Sequence, residues 1–117
     1  MELNKTLISL LGSTGLPVEQ DEYEGKAERY IVFSYEDERP AAHGDNHVTA
    51  DTAFLQVQLI TPKEFNYFSL KHEIRNLLEK ADFCVTSIRS FLGNVHVGTE
   101  KVRQTIFQVE YTEGRRS

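Results

Sequence analysis

Several residue types that often indicate a functional site are scarce in this chain. Its 117 residues include one cysteine, one methionine, three prolines and no tryptophan. The single cysteine, Cys84, cannot form a disulfide within the chain. Residues 1–5 do not begin a secretory signal, and no apolar run approaches the roughly 20 residues of a membrane-spanning helix. We therefore expect a soluble protein of a reducing cytoplasm that does not enter a membrane.

Basic residues are also fewer than acidic residues in this chain. Lysine and arginine number 13 against 18 aspartate and glutamate residues, which gives a net charge of −5 at pH 7. Proteins that are held mainly by nucleic-acid phosphates normally carry the opposite balance. The two arginines just before Ser117 are too few to form a nucleic-acid arm. The composition therefore argues against nucleic acid as the main partner.

The familiar catalytic motifs are missing as well. The sequence has no glycine-rich phosphate loop, no nucleophile elbow, no His-Glu-x-x-His pair and no Cys-x-x-Cys pair. Cys84 lies in a predicted strand without a histidine close by, which favours a small core residue over a nucleophile. The carboxylates of segment 19–28 are typical of a solvated face rather than a catalytic pair. We predict that the protein is not an enzyme and uses no cofactor.

One short segment has residues that can bind a metal ion. His43, Asp45 and His47 place two imidazoles and a carboxylate within five residues, a set that suits a divalent cation. Gly44 and Asn46 lie between them, and residues of these types favour a solvated turn. The turn is the better interpretation, so the sequence predicts no metal site.

Hydrophobic periodicity gives the clearest positive signal. Residues 102–112 alternate with the period of a half-buried strand, with Thr105, Phe107, Val109 and Tyr111 on one side. Three further segments are predicted as strands from alternation or from clustered aromatic and β-branched residues: 30–36, 53–59 and 83–91. The segment around Val18 is a candidate for a short additional strand.

Two segments have helical spacing. The apolar residues of segment 3–11 fall mostly on one stripe, and Gly12 and Gly15 follow as stop signals. A longer stripe after Pro62 predicts the main amphipathic helix. Its apolar residues are Tyr67, Leu70, Ile74, Leu77, Leu78 and Ala81. Thr61 is of the type that caps a helix, which predicts a helix start at Pro62.

The predicted order of elements is α-β-β-α-β-β. Residues 37–52 lack periodicity and include Pro40 and Gly44, so a long polar loop is expected there, at the tip of a hairpin. Residues 1–117 show no internal repeat and no domain boundary. We therefore predict a single α+β domain, with an antiparallel or mixed sheet of about four to five strands and both helices on one face.

Some large apolar side chains lie outside the main stripes. They flank the helical stripe, lie on the polar face of a strand or lie near the last hairpin: Phe54, Phe65, Phe68, Phe91, Leu92, Val95 and Val97. A slightly wide core would absorb them. If they are exposed instead, they form an apolar patch of the kind that marks an interface, and open strand edges add a second route to association.

The order of these elements resembles a family. A leucine-rich N-terminal helix, the strand at 30–33, a long polar loop, the strand at 55–60, the helix at 70–81 and the closing strand at 105–111 cover nearly the whole chain. This arrangement looks like the small tail-completion, tail-terminator and head-tail joining proteins of long-tailed bacteriophages and their prophages. The resemblance rests on the order and spacing of elements and includes no invariant motif.

The resemblance implies a structural virion component without catalytic residues. Such a protein forms a ring with copies of itself, usually a hexamer, that ends the tail tube and joins it to the head connector, with DNA only as passing cargo. It is located in the host bacterial cytoplasm during assembly and afterwards in the virion tail or neck. Candidate assembly contacts, chosen for their loop positions, are Arg39, His43, Asp45, His47, Phe91 and Val95. Two alternatives stay open: a small ligand-binding or enzymatic α+β domain, and an adaptor domain for a non-viral partner.

Overall fold

The computed structural model describes residues 3–44, 47–94 and 100–114. The elements in this part of the chain are α1 (Leu3–Gly12), β1 (Val18–Gln20), β2 (Tyr30–Gly44), β3 (His47–Pro62), α2 (Phe68–Lys80), β4 (Cys84–Gly93) and β5 (Val102–Gly114). The five strands form one sheet in the order β1-β2-β3-β5-β4. β1 pairs parallel with β2, and the other neighbours pair antiparallel. The predicted α+β class, with a mixed sheet and a short strand at Val18, is confirmed.

The core lies between the two helices and one face of the sheet. Alternate residues of the three central strands point toward the helices and are at most 2% exposed: Ile31, Phe33, Leu55, Val57, Leu59, Phe107 and Val109. α1 adds Leu7 and Leu11, and α2 adds Ile74 and Leu78. Each fully buried large aliphatic side chain contributes roughly 1.5 to 3 kcal/mol. The predicted inner side of the last strand is therefore confirmed.

The start of α2 differs from the prediction. Thr61 and Pro62 are the last residues of β3, where they pair with Arg103 and Val102 of β5. Because the ladder with β5 continues to Pro62, the backbone of Thr61 is held in a strand and cannot cap a helix. The N-cap position is taken by Tyr67, which makes no capping hydrogen bond through its side chain.

The end of α2 follows the hydrogen-bond pattern of a Schellman motif. The backbone N–H of Asp82 donates to the carbonyl of Glu79, and the N–H of Phe83 donates to the carbonyl of Leu78. Asp82 adopts the left-handed region at φ 68°. Leu78 and Phe83 both belong to the core cluster, so the motif directs the chain from α2 back into the core before β4.

Asp82→Gly is expected to stabilise the protein by about 0.5 to 1 kcal/mol. The left-handed region costs a side chain about 1 to 2 kcal/mol, and the greater freedom of glycine in the unfolded chain cancels part of the gain. Urea unfolding followed by circular dichroism measures the change. Asp82→Ala is the control and should not stabilise, because alanine retains the Cβ; equal gains for both variants would contradict this explanation.

The largest difference between sequence and structure lies at residues 37–52, which were predicted as a polar loop. β2 and β3 instead stay paired as far as Gly44 and His47, and residues 45 and 46 lie outside the described part. Backbone hydrogen bonds of a ladder do not depend on apolar alternation, so polar residues can extend a hairpin. Register shifts near Tyr35 and Pro40 mark bulges, and a bulge tolerates a proline.

The prediction that Cys84 is a core residue is wrong. The thiol-bearing residue is exposed at the start of β4. Its neighbour Val85 pairs with Val109, a core residue, so Cys84 lies on the opposite face of the sheet. The prediction relied on the apolar residues of segment 83–85. Because β4 is an edge strand and only one of its faces is covered, a residue on its other face is exposed.

Candidate assembly surfaces

β2 and β3 extend well beyond the helices. The core cluster reaches only Phe33 and Leu55 on these strands, yet the pairing continues to Gly44 and His47. On β3 the strand runs eight residues past Leu55 to His47, and at a rise of about 3.3 Å per residue this adds roughly 25 Å. The molecule measures 54 × 27 × 23 Å, and its radius of gyration of 15.7 Å exceeds the roughly 13 Å of a compact domain of this length. We call the paired residues 36–44 and 47–54 the arm.

The base of the arm is a three-stranded structure. β5 follows β3 from the core as far as the pair between Ala50 and Gly114. The hydroxyls of Thr52 and Thr112 lie 2.8 Å apart across this ladder, a cross-strand pair that stabilises a sheet. The base of the arm is therefore anchored on both sides of β3, and beyond Ala50 the described residues continue as two strands.

Three of the six predicted contacts lie on the arm. Arg39 pairs with Thr52 near its base, and His43 and His47 lie in the last paired positions. Asp45 lies outside the described residues. Among the described residues no group of three or more His, Cys, Asp or Glu side chains is placed to hold a metal ion. The metal interpretation of segment 43–47 stays untested, because the segment includes undescribed residues.

Phe91, another predicted contact, lies away from the arm. Phe91 is on β4, 43% exposed, and pairs with Gln104. Its row of the sheet continues through Ile60 to Tyr30, and Tyr30 is nine residues from Arg39 along β2, or roughly 30 Å. Val95 lies outside the described residues. The structure therefore separates the predicted contacts into two surfaces.

The outer edge of β4 is one of these surfaces. Within the described residues β4 pairs with β5 on one side and with no strand on the other. Phe91 and Leu92 are 43% and 39% exposed, and Arg89 is the only charged residue of the strand. Natural sheets usually protect an edge with charges, proline or bulges. Beyond a register shift near Val85, the β4 edge has little such protection.

A third surface lies at the start of α2, where cations contact aromatic rings. Tyr67 and Phe68 stack with ring centroids 4.8 Å apart. The Lys71 ammonium lies 4.7 Å from the Phe68 centroid, and the Arg103 guanidinium lies 5.1 Å from that of Tyr67. Phe68 is 54% exposed, and exposed aromatic and arginine residues are frequent in interface hot spots. The sequence indicated Phe68 but not Arg103, which only the fold brings to α2.

The sheet face opposite the helices is not an apolar patch. It carries three well buried apolar residues, Val32, Ile60 and Ile106, each at most 9% exposed. Half-buried glutamines of neighbouring strands share this face: Gln56, Gln58, Gln104 and Gln108. Long polar side chains of this kind cover apolar neighbours while their amide groups remain in contact with solvent. The three central strands therefore offer mainly polar contacts on this face, and its exposed aromatic side chain, Phe91, lies on the edge strand β4.

The opposite edge of the sheet is short and acidic. β1 has only three residues, including the exposed Glu19, and Asp21 and Glu22 follow it. The rings of Tyr23 and Tyr30 stack at 4.1 Å, which holds this segment against β2. Burial raises the pKa of the Tyr30 hydroxyl, and the nearby Tyr23 hydroxyl raises it further.

This pair of tyrosines predicts a loss of stability at alkaline pH. Because the pKa of Tyr30 is higher in the folded than in the unfolded chain, its contribution is complete below about pH 10 and is lost as the pH rises through the folded pKa. Urea unfolding between about pH 8 and 11 measures the effect. Tyr30→Phe should flatten the alkaline decline. Identical pH profiles for the variant and the parent chain would contradict the assignment.

One open depression bears on the ligand-binding alternative. It has a volume of about 680 Å³ and is lined by Glu28, Pro62, Lys63, Glu64, Glu100, Lys101 and Val102. All five charged residues in this lining are exposed. Sites for small molecules are usually enclosed and mostly apolar, so the depression does not favour a small ligand.

Comparison with known proteins identifies a shared fold. No protein-family model matches the chain, and no functionally curated protein matches it. Solved structures do match. One of them, whose name states no function, covers 97% of this chain and 92% of its own, with 16% identity and a TM-score of 0.50. At this identity the match shows the fold alone.

The described part of the chain has exposed groups on several surfaces. No described helix has the length and apolar character needed to cross a bilayer. The β4 edge presents backbone groups, and the cluster of Tyr67, Phe68, Lys71 and Arg103 presents aromatic rings and charges. Arg89 and Leu92 were not predicted as contacts. The near absence of charge from segment 84–93 is the sequence signal that points to them.

Proposed function

We propose that the protein is a structural component of a phage virion. It completes the tail by forming a ring at the end of the tail tube, and it joins the tail to the head connector. The observation that carries the proposal is the shape of the protomer, a small α+β body with a long arm and two unlike sheet edges. The order of helices and strands on which the resemblance to tail-completion proteins rests is kept in this fold, although the expected polar loop at 37–52 is replaced by the paired strands of the arm.

The two sheet edges suit a ring. A closed ring of identical copies needs heterologous contacts, in which one surface of a protomer binds a different surface of the next. The β4 edge has exposed Phe91 and Leu92 and one positive charge at Arg89, whereas the β1 edge is acidic around Glu19 and Asp21. These edges lie at opposite ends of the strand order. Each copy can therefore present one edge to each neighbour.

The arm suits contact with a second protein above or below the ring. It projects roughly 25 Å from the core and is anchored at its base by β5. In a ring all arms point to the same side and form a collar of repeated contacts. The net charge of −5 also suits a conduit for DNA, because an acidic lumen does not retain phosphates.

Electron microscopy of the purified protein tests the proposal. The protein is imaged by negative stain alone, with tail tubes assembled from a purified tube protein of a long-tailed phage, and with a purified head connector. Rings, or density at one end of the tubes, are the expected result. Tubes without the protein are the control. A chain that forms no rings and binds neither tube ends nor connectors would contradict the proposal.

A further inference from the structure

We infer that the outer edge of β4 pairs with the β1 edge of a second copy of this chain, so that the sheets of neighbouring copies become continuous. The inference rests on the proposed ring and identifies the contact that builds it. The edges of the sheet differ in how well they are protected against pairing with another strand. The free edge of β2 beyond β1 is protected by Glu36, Asp37, Pro40 and two bulges, whereas segment 87–93 of β4 has only Arg89.

The strand directions permit this pairing. β1 and β2 run in the same direction, β3 runs opposite to them, β5 runs with them, and β4 runs opposite again. When a second copy lies beside β4 with its helices on the same side, its β1 is antiparallel to β4. Antiparallel ladders are the more frequent and the more stable kind.

The charges favour a junction between β4 and β1 over one between two β4 strands. Glu19 and Arg89 lie at the two ends of one row across the sheet, through Val32, Gln58 and Ile106, on the face opposite the helices. In a continuous sheet that carries this row straight across the junction, Glu19 of the next copy comes opposite Arg89, a favourable cross-strand pair. Two β4 strands that pair about their centre bring two Arg89 side chains together.

A charge swap between separately purified variants tests the junction. Arg89→Glu and Glu19→Arg should each weaken self-association roughly three- to tenfold, because each places like charges at every junction. An equal mixture of the two variants should restore it, because every mixed junction again joins opposite charges. Native mass spectrometry and sedimentation equilibrium, at protein concentrations up to the solubility limit, measure the change. Arg75→Glu, on the exposed side of α2, is the matched control and should leave self-association unchanged.

Hydrogen exchange shows whether backbone pairing forms the contact. In the wild-type chain, amides of β4 and β1 should become protected as the protein concentration rises. Oligomers without protection of β4 would overturn the inference and leave the ring function standing. Protection of β4 alone, without rescue in the mixture, would indicate β4 pairing with itself and would also overturn it. A chain that stays monomeric at every concentration would also overturn the inference. In that case the proposed function is tested separately, by binding of the protein to tube ends.

Discussion

Phe107→Ala is expected to destabilise the fold by about 3 to 5 kcal/mol. Phe107 is fully buried and lies in the centre of the sheet, where it pairs with Val57 on one side and Ile88 on the other. Its removal leaves a cavity in the core cluster, which residues of both helices share. Since a domain of this size has a total stability of about 5 to 15 kcal/mol, the variant should lose a large part of it. Urea unfolding measures the loss.

Phe91→Ala is the matched control for this substitution. The same side chain is removed, but Phe91 is 43% exposed on the edge strand, so the loss should stay below about 1 kcal/mol. The edge variant should instead weaken self-association, since an aromatic side chain at an interface contributes to binding. Similar losses of folding stability for the two variants would show that the assignment of core and edge is wrong.

Removal of the arm is expected to abolish binding to tube ends and to the connector while the body stays folded. Residues 40–51 are replaced by Asn-Gly, which joins the paired Arg39 and Thr52 through a two-residue hairpin turn. The core cluster ends at Phe33 and Leu55, so the unfolding free energy should fall by no more than about 1 to 2 kcal/mol. Binding to tube ends or to the connector should disappear, because the proposed collar is gone.

Circular dichroism and tube-end binding measure the two effects of the arm deletion in parallel. A control variant keeps the arm at full length and carries Asn76→Lys on the exposed side of α2. It should bind as the parent chain does. If the shortened chain is unfolded, the arm is part of the folding unit. If the shortened chain is folded and binds tube ends normally, the role assigned to the arm is wrong.

The sequence predicted those parts of the fold in which burial is periodic. The side of β5 with Thr105, Phe107 and Val109 is buried, and Ile74 and Leu78 of α2 lie in the core, as their spacing indicated. Periodicity works here because one face of each element packs against the other layer. The short strand at Val18 was also indicated, although its parallel pairing with β2 is not visible in the sequence.

The parts that were not predicted depend on backbone pairing between distant segments. Nothing in residues 37–44 alternates, yet the ladder with β3 extends them as a strand. Thr61 looked like a helix cap until the pairing with Arg103 placed it in β3. Cys84 looked buried because its neighbours are apolar, but an edge strand with one covered face exposes every second residue. In the first two cases pairing with a distant segment overrode the local signal, and in the third the position of the strand in the sheet did so.

The candidate contacts were only partly accessible to sequence reasoning for a similar reason. Phe68 and Phe91 were identified as surplus apolar residues, and both are exposed. The distance between Phe91 and the arm follows from the row of the sheet in which each residue lies, which requires the register of β5 against β3 and β4. The contact of Arg103 with Tyr67 likewise joins β5 to the start of α2.

The most direct test of a tail-completion role is the growth of tail tubes. A purified tube protein of a long-tailed phage is polymerised with and without the purified protein, and tube lengths are measured by electron microscopy. The account predicts that tubes stop growing once a ring occupies one end, so that added protein shortens them in proportion to its amount and the arm-deleted variant does not. Tubes of unchanged length, with no density at either end, would contradict it.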